Sequence, residues 1–204
     1  MIQWWRRRQI AVLLSVLLLA ACASTPTNRS EILGSWKADN YDNKLSSFLV
    51  ISLSDDEPAI REKVESIMAS RLRQEGLHAV ASSDIMPVGE KVDRETVRAA
   101  MAGKDFDGVL VSRLLSVERG AVYVPPSPDI TFANSFSRHT PIVATPGRVE
   151  HSSAITMQLD LYDTTSQHLI WSLRTQTVNP DNVTDAVQDE AGAAVKDLRS
   201  KGLI

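Results

Sequence analysis

Apolar and polar positions along this chain fall into short blocks of two different periods. Leu45 to Leu53, centred on Phe48-Leu49-Val50-Ile51, is a near-continuous apolar run of strand length, as a strand covered on both faces requires. Asp55-Asp56-Glu57-Pro58 follows as a helix start, its acids suited to the positive end of the dipole and Pro58 to the first turn. Ile60, Val64, Ile67, Met68 and Leu72 then keep helical spacing up to Gly76, where a left-handed residue can end the helix. Leu77 to Ala81 reads as a short second strand. Asp93 is placed to cap a second helix bearing Val97, Ala100 and Met101 and stopping near Gly103. Asp107-Gly108 leads into a third strand from Val109 to about Val117.

The clearest alternation comes later. Ile155, Met157, Leu159 and Leu161 interleave with Thr156, Gln158, Asp160 and Tyr162, which predicts a strand with one apolar face. Thr164 to Gln167 supplies a turn, and Leu169, Trp171 and Leu173 alternate on the return. Pro180-Asp181-Asn182 opens a last helix with an apolar stripe of Val183, Ala186, Val187, Ala191, Ala194, Val195 and Leu198, closed by Gly202. The expected order is β-α-β-α-β-β-β-α. That is an α/β domain with a mixed sheet and a C-terminal antiparallel hairpin plus helix, spanning 45–204.

The amino end follows another rule. Arg6, Arg7 and Arg8 precede an uncharged run from Ile10 to Ala21. As a helix this run rises only ~18 Å against a hydrocarbon core of ~30 Å, so it suits the apolar region of a secretory signal better than a permanent span. It ends in Leu19-Ala20-Ala21-Cys22, and Cys22 is the only cysteine of the chain. Those four residues resemble the bacterial lipobox. The resemblance implies a signal peptide over 1–21, cleavage between Ala21 and Cys22, and a diacylglyceryl thioether on Cys22. Two or three acyl chains give the stable membrane anchoring that one chain does not. Residue 23 is alanine, not the aspartate that resembles an inner-membrane retention signal, so the expected location is the periplasmic face of the outer membrane. Residues 22–44 would form the lipidated end and a polar tether. Trp36 fits a tether poorly; it either docks on the domain or rests at the lipid interface.

Composition narrows the function classes. The 204 residues suffice for one domain with a sizeable core. With 22 Lys and Arg against 25 Asp and Glu the formal charge is −3, and losing residues 1–21 removes three arginines and no acid. No electrostatic case for nucleic-acid binding remains. A lone cysteine at the lipobox position leaves no thiol for redox chemistry in the mature domain and no disulfide framework.

A second resemblance lies in the hairpin. Ile155-Thr-Met-Gln-Leu-Asp-Leu-Tyr-Asp, a turn, and His168-Leu-Ile-Trp-Ser is similar to a hairpin recurring in envelope lipoproteins, among them the activators of penicillin-binding proteins. The element order is similar, more loosely, to the amino-terminal domain of the Tol translocation protein and to the curli secretion lipoprotein. Trp36-Lys37-Ala38, Asp105-Phe106-Asp107-Gly108-Val109-Leu110-Val111 and Tyr123-Val124-Pro125-Pro126 together resemble a family of uncharacterised proteobacterial outer-membrane lipoproteins. The chain lacks the long proline-rich linker of the penicillin-binding-protein activators, so a reach across peptidoglycan is not implied.

Catalytic signals are weak. His78, His139, His151 and His168 are scattered without metal-ligand spacing, and no phosphate-cradling glycine motif occurs, so no metal or cofactor is expected. Ser135, Ser137 and His139 lie close together but without the rigid setting a nucleophile needs. Asp160 and Asp163, three apart on a strand, point to opposite faces, and Asp163 suits the turn. The segment 120–150 lacks a convincing period and reads as a long loop, with Tyr123, Pro125, Pro126, Phe132 and Phe136 as a rigid apolar contact surface. These features favour a non-catalytic, lipid-anchored adaptor with an envelope protein as partner. A cell-envelope hydrolase is the alternative.

Overall fold

A computed structural model describes residues 30–53, 58–86, 92–124, 127–128, 144–145 and 148–204. Its strands are β1 (Ser30–Lys37), β2 (Ser47–Leu53), β3 (His78–Ala81), β4 (Gly108–Val124), β5 (Ser127–Pro128), β6 (Ala144–Thr145), β7 (Arg148–Asp163) and β8 (Leu169–Val178). The helices are α1 (Pro58–Gln74), α2 (Arg94–Met101) and α3 (Val183–Ser200). Six strands form one sheet in the order β1-β8-β7-β4-β2-β3, with β2 parallel to β3 and β4 and the remaining neighbours antiparallel. The expected mixed α/β sheet and terminal hairpin-helix are present.

The two crossovers run in opposite directions, from β2 out to β3 and back over β2 to β4. Right-handed connections of that kind put their helices on opposite faces. Accordingly α1 packs with α3 over Phe48, Val50, Leu110, Leu159 and Trp171, whereas Val97 and Met101 of α2 cover Leu49 and Ile51 on the other side. The face beneath α1 and α3 holds the main core. Among the described residues the α-helical cover of the opposite face is the eight residues of α2.

Local signals explain the ends of these elements. Asp93 caps α2 by accepting from the backbone of Glu95 and Thr96, and Thr96 returns the bond, forming a capping box. Asn182 caps α3 through the amide of Asp185. At Gly108 an added Cβ would lie 3.0 Å from Leu161 Cδ1 and 3.1 Å from Leu45 Cδ1, so a side chain there would push both leucines aside where β4 enters the core.

Two expectations need correction. The tether does not extend to residue 44, because Ser30–Lys37 is the edge strand β1, paired antiparallel with β8. Its polar, glycine-containing sequence hides the alternation, and the register shifts between Ile32 and Gly34. Nor is 120–150 loop at its ends. β4 continues to Val124 and β7 begins at Arg148, with Tyr123 opposite Val149.

Candidate interaction surface

β4 and β7 outrun the sheet. The last residue of β4 paired with β2 is Arg113, opposite Leu53, and the first of β7 paired with β8 is Ala154, opposite Val178. Beyond these points Arg119–Val124 and Arg148–Ser153 form strand pairs, among the described residues, only with each other, as an arm of ~20 Å at 3.3 Å per residue.

Strand alternation decides what the arm presents. Residues sharing the face of Leu110 and Leu159 continue outward through Leu114, Val117, Arg119, Ala121 and Tyr123 on β4, and through Met157, Ile155, Ser153, His151 and Val149 on β7. Under the helices this stripe is closed, with Leu110 only 1% exposed. Past them it opens: Leu114 is 52% exposed, Val149 53% and Tyr123 63%. The core face of the sheet thus runs on past its helices as a stripe of apolar residues interrupted by Arg119, Ser153 and His151, with no helix above it among the described residues. A two-stranded ribbon is marginally stable alone, and exposed apolar surface of this kind marks contact sites.

On the opposite face lies a polar network. Asp160, buried on β7, accepts hydrogen bonds from Arg113 Nη1 (3.0 Å), Gln158 Nε2 (3.0 Å) and Ser172 Oγ (2.8 Å). Arg174 Nη2 donates to Gln158 Oε1 at 3.1 Å. Trp36, opposite Ser172 on β1, stands on the same face and is half exposed. Every donor around Asp160 serves to hold a neighbour in place, an arrangement suited to fixing a surface.

Asp163 takes the turn role expected of it. Its Oδ1 accepts from Ser166 N (2.6 Å) and Ser166 Oγ (2.7 Å), and its Oδ2 from Tyr41 Oη (2.8 Å). Burial pushes this carboxyl up, but the bonds from Ser166 and Tyr41 outweigh it and hold it below the ordinary value. Burial, then the Asp163 bond, pushes Tyr41 up to about 12.

Of the residues expected to bind a partner, Tyr123 is on the arm. Pro125, Pro126, Phe132 and Phe136 lie outside the described residues, as do Ala21 and Cys22, Ser135, Ser137 and His139. His78 stacks on Phe106 at 6.1 Å, while His151 and His168 are exposed on the arm and in the turn. Among the described residues no three His, Cys, Asp or Glu side chains group to hold a metal, and no helix is long and apolar enough to cross a membrane. The contribution of Leu114, Val117 and Val149 escaped sequence reasoning, because their alternation belongs to a stretch read partly as loop.

No family model and no curated relative matches the chain. Among solved structures it is similar to the PelC dodecamer from Paraburkholderia phytofirmans, at 10% identity over 79% of this chain and 90% of that one, with a TM-score of 0.43. A point variant of that dodecamer aligns at 11% identity over 79% and 89%, with a TM-score of 0.41. A PDZ domain protein from Parabacteroides distasonis aligns at 8% identity over 78% of this chain and 34% of that one, with a TM-score of 0.36.

Proposed function

We propose that this chain is a non-catalytic, lipid-anchored adaptor at the periplasmic face of the bacterial outer membrane, holding an envelope protein through the β4–β7 arm. The observation that carries the reading is the stripe of exposed apolar residues Leu114, Val117, Tyr123 and Val149, interrupted by Arg119 and His151, which continues the core face beyond its helical cover. A ribbon that exposes such a stripe gains stability when another surface closes over it. The anchor rests on Leu19-Ala20-Ala21-Cys22 and the arginine-led apolar run before it.

A photo-reactive amino acid placed at Val117 or Tyr123 in living cells tests this reading. One dominant cross-linked envelope protein is the expected result, with no such product when the probe replaces exposed Glu62 on α1. Cross-linking that is equal at all three positions, or absent from the arm, would overturn the proposal.

A further inference from the structure

Between α2 and the uncovered half of the sheet runs a groove of about 640 Å³, within the range of small-ligand sites. Its floor is apolar: Ile51 and Leu53 of β2 beside Val109 and Val111 of β4. The helical wall is unusual. Arg94, Val97, Arg98 and Met101 all line the groove, at the i, i+3, i+4, i+7 spacing that ordinarily makes a wholly apolar stripe. Here two of the four positions are arginine.

Arg94 and Arg98 are exposed and one helical turn apart, and neither has a hydrogen bond or ion pair among the described residues. Arg113, on the far side of the groove, is already committed to Asp160 at 3.0 Å. The acids of the lining are committed as well: Asp93 to the α2 cap, and Asp163 to Ser166 and Tyr41. Three arginines against two aspartates leave the lining with one net positive charge. That excess stands in a chain whose total is −3.

We propose that this groove binds a single-chain anionic amphiphile, a long-chain carboxylate whose tail lies on the β2–β4 floor and whose headgroup sits between Arg94 and Arg98. The apolar floor removes the tail from water. Guanidinium groups match a planar carboxylate with paired N–H donors, and a monoanion balances the net charge of the lining. A neutral amphiphile leaves the two arginines without a counter-charge, and a small anion leaves the floor unfilled. The site is separate from the arm's apolar stripe, which lies on the opposite face, and does not depend on what the arm binds.

The test uses membranes from cells expressing the full chain, incubated with palmitic acid carrying a diazirine in its tail and then illuminated. Labelled peptides identified by mass spectrometry should contain Met101 or Val109–Val111. The corresponding diazirine alcohol should label them at least tenfold less. In the R94Q/R98Q protein, whose altered side chains are exposed, acid labelling should fall to the level of the alcohol. The acid-to-alcohol comparison on the unaltered chain needs no variant. Equal labelling by acid and alcohol, or acid labelling confined to Leu114–Tyr123, would overturn the proposal. So would labelling of the groove only in a D55N/D56N/E57Q protein, since the arginines would then serve the chain's own acidic segment.

Discussion

Trp171 Nε1 donates a 2.7 Å hydrogen bond to Asp197 Oδ2, tying the fully buried indole of β8 to the last turns of α3. Ser35 Oγ of the edge strand donates to the same oxygen at 2.6 Å. One carboxylate therefore joins β1, β8 and α3. It satisfies the polar end of an aromatic ring whose apolar body is enclosed by the main core.

Trp171→Ala removes the ring and leaves a cavity, so it should cost ~3–5 kcal/mol in chemical denaturation. Asp197→Ala should cost less, about 1–3 kcal/mol, by leaving the indole N–H without an acceptor. A smaller loss for Trp171→Ala than for Asp197→Ala would mean that the hydrogen bond, not the ring's burial, holds α3 down.

Glu190 makes a contrasting case on the same helix. It is almost fully buried, neither of its carboxylate oxygens has a hydrogen-bond partner among the described residues, and burial raises its pKa from 4.5 to about 8. The native state keeps a proton that the unfolded chain releases above pH 4.5. Its contribution to stability is therefore fully present below pH 4.5 and is lost progressively as pH rises toward 8. By pH 7 the loss amounts to roughly 3 kcal/mol. Glu190→Gln should match the parent near pH 4, exceed it at pH 7.5, and flatten the stability profile between them. Denaturation midpoints across that range check the sign; an unchanged slope would place the titration elsewhere.

These two helical acids show where the sequence could be read and where it could not. The stripe from Val183 to Leu198 was legible because apolar residues kept period, and all the helices, the terminal hairpin and strands β2 to β4 emerge from such patterns. Glu65 and Glu190 occupy stripe positions yet are acidic residue types, so pattern alone assigns them to solvent. In the fold, Glu65 accepts from Ser52 N, Ser82 Oγ and Ser83 N, contacts that no local signal announces. β1 was hidden for another reason: an edge strand beside a single neighbour needs no clean alternation, and Ser30–Lys37 has none. The groove arginines were invisible because Arg94 and Arg98 acquire meaning only when β4 lies across from them.

Tyr41 and Asp163 form the bond that closes the turn end of the sheet onto the segment after β1. Tyr41→Phe should remove one hydrogen bond at a cost of about 0.5–1.5 kcal/mol. Because Asp163 titrates below its ordinary value, its contribution is present above the unfolded carboxylate range and is lost as pH falls through the folded value. The Tyr41→Phe protein should accordingly show a smaller loss of stability on acidification than the parent. Parallel acid-unfolding curves for the two proteins would contradict this assignment.

Cys22→Ser tests the anchor. The serine hydroxyl cannot take the place of the thiol in the thioether, so acylation and the cleavage that follows it should both fail. The expected product carries the mass of the uncleaved chain and leaves the outer-membrane fraction. Normal fractionation with the mass of an acylated, processed chain would show that Cys22 is not the lipidated residue.

The arm allows the fold and the contact to be separated in one variant. Val117, Tyr123 and Val149 are exposed on the core-side face of β4 and β7; Tyr123 pairs with Val149 within the ribbon, and Val117 pairs with Ile155 at its base. Replacing all three by Thr retains strand propensity while removing the large apolar side chains. If the stripe serves a partner, the variant should unfold within about 0.5 kcal/mol of the parent, the ordinary range for surface changes, and yield no arm cross-link. A stability loss of several kcal/mol would instead mean that the chain covers its own stripe, making the arm part of the core. Unchanged stability together with unchanged cross-linking would remove the stripe from the contact and move the partner's site to another face.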